Sequence, residues 1–185
     1  MSNLLWILVI YFLNLITVVI SSSGDRSKFY VLCVDRCSLK DCKIGGEFKR
    51  YPPFDLQLLY WSCKDNCSYG CMWETVTHFT TRGLDVPQFH GKWPFIRAFG
   101  LQEPASVLFS LLNFYAHVRM YNTFRKNVHP SNPMFYVWTY FMIVCTHGWI
   151  WSAVFHARDK YFTEVMDYSC AFTTVLTLLY CLLLR

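Results

Sequence analysis

Beyond Pro104 the sequence runs in three long apolar stretches, Ala105 to about Tyr121, Met134 to His156 and Tyr168 to Leu184. At a rise of about 1.5 Å per residue, each is near the length at which an α-helix crosses a hydrocarbon core of about 30 Å. The pattern therefore predicts three transmembrane helices, the first of them short and carrying Asn113 and His117. Composition agrees: 54% of the 185 residues are hydrophobic and 19% aromatic against 16% charged, more apolar surface than a soluble domain of this size can hide in one core. The 17 Lys and Arg exceed the 12 Asp and Glu, yet they are scattered or sit beside apolar spans, which argues against a nucleic-acid partner.

At the other end, residues 4–20 read LLWILVIYFLNLITVVI and are followed by SSSG, a small-residue stretch suited to signal peptidase. Residues 1–23 are expected to be a signal peptide. The absence of Lys or Arg before the run leaves an uncleaved signal anchor as the rival, and both export the segment that follows. That segment, 24–94, holds six of the nine cysteines, between Cys33 and Cys71, while Cys145, Cys170 and Cys181 lie in the later apolar runs. An even, clustered set in an exported segment points to disulfides, which so small a domain needs for stability. A zinc knuckle is disfavoured, because no histidine is interleaved and the two-residue pairing of zinc ribbons is missing. Cys33, Cys37 and Cys42 form one triplet and Cys63, Cys67 and Cys71 another, each spaced to lie on one helix face, with Gly45, Gly46, Pro52 and Pro53 between. The expectation is a helical hairpin stapled antiparallel, Cys33 to Cys71, Cys37 to Cys67 and Cys42 to Cys63, although spacing alone leaves all fifteen connectivities open. Asn66, in Asn66-Cys67-Ser68, is a formal glycosylation sequon; chance is its plain reading.

Arg119, Arg125 and Lys126 after the first span and Arg185 after the third assign both places to the cytosol, which leaves the cysteine-rich segment and the seam at 151–167 in the lumen. Arg158 and Lys160 dilute that bias, so the signal peptide carries more of the weight. At the seam, Ser152 and His156 are one helical turn apart and Asp167 returns at a similar depth. Polar groups at such a level usually face a bundle interior, where they pair or bind. Each also has a plain role: Ser152 bonded back to the Gly148 carbonyl, His156 at the interface, Asp167 capping the third helix.

These residues carry a resemblance. Ser152-x-x-x-His156 followed by Asp167 resembles the signature of the CREST superfamily of seven-helix membrane hydrolases. QFHGKWPFIRAFGLQEPASVLFSLLN at 88–113, FHARD at 155–159, TEVMDY at 163–168 and YWSCKDNC at 60–67 resemble the post-GPI-attachment to proteins factor 3 family. The resemblance implies an all-α membrane protein, a disulfide-rich lumenal head followed by the first three helices of a seven-helix bundle. It further implies removal of the unsaturated sn-2 acyl chain from the inositol phospholipid of GPI-anchored proteins, in the Golgi apparatus or endoplasmic reticulum. Zinc is the implied cofactor, with His156 as a ligand, Asp167 orienting or deprotonating its water, and Ser152 supporting the site or steadying the oxyanion. The partners implied are GPI-anchored proteins, their lipid and the bilayer.

The superfamily takes two further histidines from a later helix, which this sequence does not contain. The chain is accordingly expected to be a fragment, inactive alone. His147 is nine residues from His156 and points to roughly the opposite side of an ideal helix, and His117 lies at the wrong depth. A lumenal, non-catalytic protein whose head recognises GPI-anchored cargo is the second reading, and a receptor-like bundle the third. His90, Lys92 and Arg97 are candidates for headgroup contact, Trp93, Trp149 and Trp151 for interfacial aromatics, and His78, His129, Asp159 and Glu164 for solvated loops. No glycine-rich phosphate loop, G-x-S-x-G elbow or H-E-x-x-H helix is present in the sequence.

Overall fold

The computed structural model describes residues 22–184. The expected signal peptide, apart from Ser22 and Ser23, lies outside the described residues. Among them are six helices and no strand: α1 Lys28–Asp41, α2 Phe54–Leu58, α3 Cys63–Thr80, α4 Pro104–Asn127, α5 Met134–Ala157 and α6 Tyr161–Leu183. Two compact units divide the chain, one ending at Pro94 and the other beginning at Phe95. The architecture is that of an all-α membrane protein with a disulfide-rich head.

In the head, α1 packs against α3. The start of α3 is written in Ser62-x-x-Asp65: the Ser62 hydroxyl accepts the Asp65 N–H at 3.1 Å and the Asp65 carboxylate accepts the Ser62 N–H at 3.2 Å. At the far end of α1, Lys49 Nζ donates to the carbonyls of Leu39 and Lys40 at 2.8 and 2.7 Å, satisfying acceptors that the helix leaves open. Between α1 and α3 the chain turns through Gly46, whose φ of 79° suits glycine. Along the seam, disulfides join Cys33 to Cys71, Cys37 to Cys67 and Cys42 to Cys63 across Cα separations of 5.7, 5.7 and 5.6 Å. This is the antiparallel arrangement expected from the two triplets. Each such cross-link is worth about 2–4 kcal/mol, which matters because the apolar core is small: Tyr30, Val76 and Phe89 around Cys71, and Phe48 against Cys42, Cys63 and Cys67.

The chain entering the head is tied to the chain leaving it. Gly24 N–H donates to the Gln88 carbonyl at 2.9 Å, and the Asp25 carboxylate accepts the His90 N–H at 2.8 Å. A Cβ at Gly24 would stand 2.6 Å from the Gln88 carbonyl oxygen, so only glycine allows this approach. His90 Nε2 lies 3.6 Å from the same Asp25. His78, expected in a loop, is instead in α3 and stacks on Phe29 at 4.2 Å.

In the second unit α5 packs against both α4 and α6. Pro104 sits at the first turn of α4, where its missing N–H costs nothing. That helix continues to Asn127 rather than Tyr121, so Arg119, Arg125 and Lys126 are helical, the last two in the final turn where the dipole favours them. Helix α6 begins at Tyr161 rather than Tyr168. Its first turn is closed by the Lys160 N–H on Thr163 Oγ1 at 3.0 Å, and the helix absorbs the polar residues that suggested a loop. Among the described residues one helix, α6, is both long and apolar enough to cross a membrane. Charges reduce the apolar character of α4, and α5, which contains no Asp, Glu, Lys or Arg, is rich in Trp, Tyr and Thr.

Candidate functional site

The segment just before α4 docks on the last turn of α5. Gln102 N–H donates to the Ala157 carbonyl and Glu103 N–H to the His156 carbonyl, both at 3.0 Å, filling two acceptors that the helix end cannot satisfy itself. The Gln102 carboxamide accepts the Asp159 N–H at 3.0 Å and locks the turn beyond. One consequence is that the Glu103 carboxylate stands over the His156 ring. Nδ1 of His156 is 2.8 Å from Oε2 of Glu103, whose side chain is 9% exposed against 25% for the histidine. The Ser106 hydroxyl donates to the same Oε2 at 3.3 Å.

One turn deeper, Ser152 Oγ is 3.1 Å from Ser110 Oγ across the α4–α5 contact. Ser110 has a single hydroxyl proton, and it is directed to the Ser106 carbonyl at 2.9 Å. Ser152 is therefore the donor to Ser110. Its partner lies on the neighbouring helix, and the Gly148 carbonyl expected as its plain partner is not needed.

Asp167 lies within the second turn of α6 and is half-buried, so it does not cap that helix. The register is antiparallel: Phe155 meets Tyr168 at 6.0 Å between ring centroids, and Cys170 Sγ is 3.4 Å from His147 Nδ1. That register brings Asp167 level with the last turn of α5. His147 is held on its other nitrogen by the Trp151 indole at 3.1 Å. His117 Nδ1 meets the Asn113 carbonyl at 2.9 Å, within its own helix.

Of the predicted site residues, Ser152 and His156 thus fall on one face of α5 beside α4, and their immediate partners are Ser110 and Glu103. Sequence reasoning missed both. The signal was available, because Glu103, Ser106 and Ser110 recur at helical intervals through an otherwise apolar stretch.

Residues 53–185 match the Per1-like family. This chain belongs to that family. It is 44% identical over 179 residues, 92% of its length and 55% of the relative's, to Post-GPI attachment to proteins factor 3 of Drosophila melanogaster. To the proteins named GPI-specific phospholipase A2-like PGAP3 it is 42% identical in Danio rerio and 44% in Homo sapiens, over 86% of this chain and 51% and 50% of theirs. The chain spans about half the length of these curated relatives. No solved structure matches it.

The zinc that the CREST resemblance implies can be tested against the donors in place. A carboxylate on the Nδ1 side of an imidazole is the arrangement that leaves Nε2 as a metal ligand. The chemistry at His156 is that of one corner of a zinc site, whereas a complete site takes three or four protein ligands. Among the described residues, no group of three His, Cys, Asp or Glu donors closes around His156; the group that does gather is Cys42, Cys63 and Cys67, within 4.8 Å. Such a set could hold a metal as thiolates, but all three sulfurs are in disulfides.

Elsewhere in the head, a cleft of about 650 Å³ is lined by Lys40, Lys49, Arg50, Tyr51 and Asn66 among others. The Asn66 sequon is half-buried at its edge.

Proposed function

We propose that this chain carries the membrane-level part of a GPI-anchor remodelling enzyme that removes the sn-2 unsaturated acyl chain from the inositol phospholipid of GPI-anchored proteins. What supports the reading above all is the pairing of Ser152 and His156 with Ser110 and Glu103 at one end of a helix bundle, in a chain of the Per1-like family. The relatives' names point to the same chemistry, since two of them are called phospholipase A2-like.

In this account the site faces the lumen of the Golgi apparatus or endoplasmic reticulum, near the level of a phospholipid ester. Water attacks the sn-2 carbonyl, the acyl C–O bond breaks, and the glycerol oxygen leaves as the alcohol. Asp167 orients the water or takes its proton, and His156 would offer Nε2 to a cation as one of its ligands. Ser152, whose hydroxyl now points to Ser110, turns to donate to the developing oxyanion. A zinc held in part by His156, with ligands that the described residues do not gather around it, would supply a water of near-neutral pKa and an electrophile for the carbonyl.

A second reading is favoured by one observation, the head cleft with its cations and Tyr51. In that reading the head recognises the phosphate-bearing glycan of GPI-anchored cargo, and the helices only anchor it.

The experiment is replacement in cells that lack GPI remodelling. Expression from the gene encoding this chain should restore saturated acyl composition on a GPI-anchored reporter, and the His156→Ala copy should not. Full restoration by the His156→Ala copy at equal abundance would contradict the hydrolytic role and leave recognition as the function.

A further inference from the structure

Glu103 holds two parts of one residue. Its N–H donates to the His156 carbonyl at 3.0 Å while its carboxylate meets the His156 ring at 2.8 Å. The carboxylate is almost fully out of solvent, 9% exposed, and a buried carboxylate without partners is costly. Among its partners here are the ring nitrogen and the Ser106 hydroxyl. Neither of these two has freedom to leave. Ser106 is fixed on the first turns of α4, and His156 is on the last turn of α5 with its carbonyl already bound.

An imidazole has two nitrogens, and the hydrogen bond at one decides what the other presents. An ionised carboxylate only accepts, so the contact at 2.8 Å requires the proton on Nδ1. We infer that Glu103 is the positioning residue of His156: it accepts the Nδ1–H, fixes the ring plane, and leaves the Nε2 lone pair open toward the site. The inference rests on the proposed reading for its use, because an open Nε2 is what a metal or a proton in transit needs. The ring state itself can be measured without metal or lipid, so this assignment and the hydrolytic reading fail separately.

Selective ¹⁵N-histidine labelling of the whole chain in detergent micelles tests it, at a pH above the ordinary histidine range and without added metal. His156 is assigned by the signal lost in His156→Gln. The wild-type ring should carry its proton on Nδ1. Glu103→Gln, whose carboxamide oxygen can still accept, should keep that tautomer, and Glu103→Leu should release the ring to exchange between both. A role confined to capping α5 runs through the backbone N–H and predicts no change of tautomer in either variant. Should Glu103→Leu fail to fold, the wild-type and Glu103→Gln spectra decide alone. A wild-type His156 protonated on Nε2, or an unchanged tautomer in a folded Glu103→Leu, overturns the assignment.

Discussion

Nδ1 of His156 lies 2.8 Å from Oε2 of Glu103, a residue 53 positions earlier in the chain. The contact fastens the entry of α4 to the exit of α5, and both groups are largely withdrawn from solvent. Removing one partner strips the other of this bond in a largely dry setting, with Ser106 still donating to Glu103, whereas removing both takes the bond away at both ends. His156→Ala alone should therefore lower stability by about 1–3 kcal/mol, and the double variant with Glu103→Leu should lose less than the sum of the single losses. Thermal unfolding of the four chains in detergent gives the coupling. Additive losses would show that the two side chains do not interact.

The serine pair is asymmetric. Ser110 gives its proton to the Ser106 carbonyl, so Ser152 is the donor and Ser110 the acceptor. Either serine can be replaced by alanine at a cost of about 0.5–1.5 kcal/mol. In the product of the encoding gene, Ser152→Ala should reduce turnover by about 10²–10³, the effect of an oxyanion donor, and Ser110→Ala should reduce it much less. Equal losses of turnover would place both hydroxyls in a structural role only.

Peptide mapping without reduction should recover Cys33 with Cys71, Cys37 with Cys67 and Cys42 with Cys63. Replacing Cys42 and Cys63 together by alanine should cost the head about 2–4 kcal/mol in urea unfolding. A peptide linking Cys33 to Cys63 would contradict the hairpin.

Tyr30 is 8% exposed and packs on Phe89 at 5.1 Å. Burial pushes its hydroxyl above the ordinary value of 10.0, against the opposing hydrogen bond with Ser68 and with a smaller push from Asp25. A raised value means the folded head prefers the neutral phenol. That contribution is complete below pH 10.0 and is lost as pH climbs through the folded value. Thermal melts of the head should fall in the alkaline range, and Tyr30→Phe should flatten that fall; an unchanged alkaline slope in the variant contradicts it.

Patterns governed by a single element were legible in the sequence. The triplets Cys33-Cys37-Cys42 and Cys63-Cys67-Cys71 carried the head: helical periodicity puts Cys33 and Cys37 on one face of α1 and Cys63, Cys67 and Cys71 on one face of α3, while Cys42 stands just past the end of α1 in extended backbone. The α5 boundaries were close for a related reason, a continuous apolar run ending at a polar turn. The start of α6 was not, since Thr163, Glu164 and Asp167 interrupt hydropathy while leaving helix geometry untouched. Ser152 and His156 were visible as polar groups out of place. Their partners were not, because Glu103 and Ser110 lie on another helix, and the backbone bonds from Gln102 and Glu103 to the end of α5 are a tertiary fact. Asp167 stands level with the last turn of α5 but enters from α6, a register that only packing defines.

The most direct measurement uses the purified product of the encoding gene and a GPI-anchored protein labelled in its sn-2 acyl chain. Release of labelled fatty acid with matching formation of the lyso form, abolished by His156→Ala in a protein that still folds, is the result this account predicts. Label retained on the anchor, or released equally well by the His156→Ala protein, would contradict it.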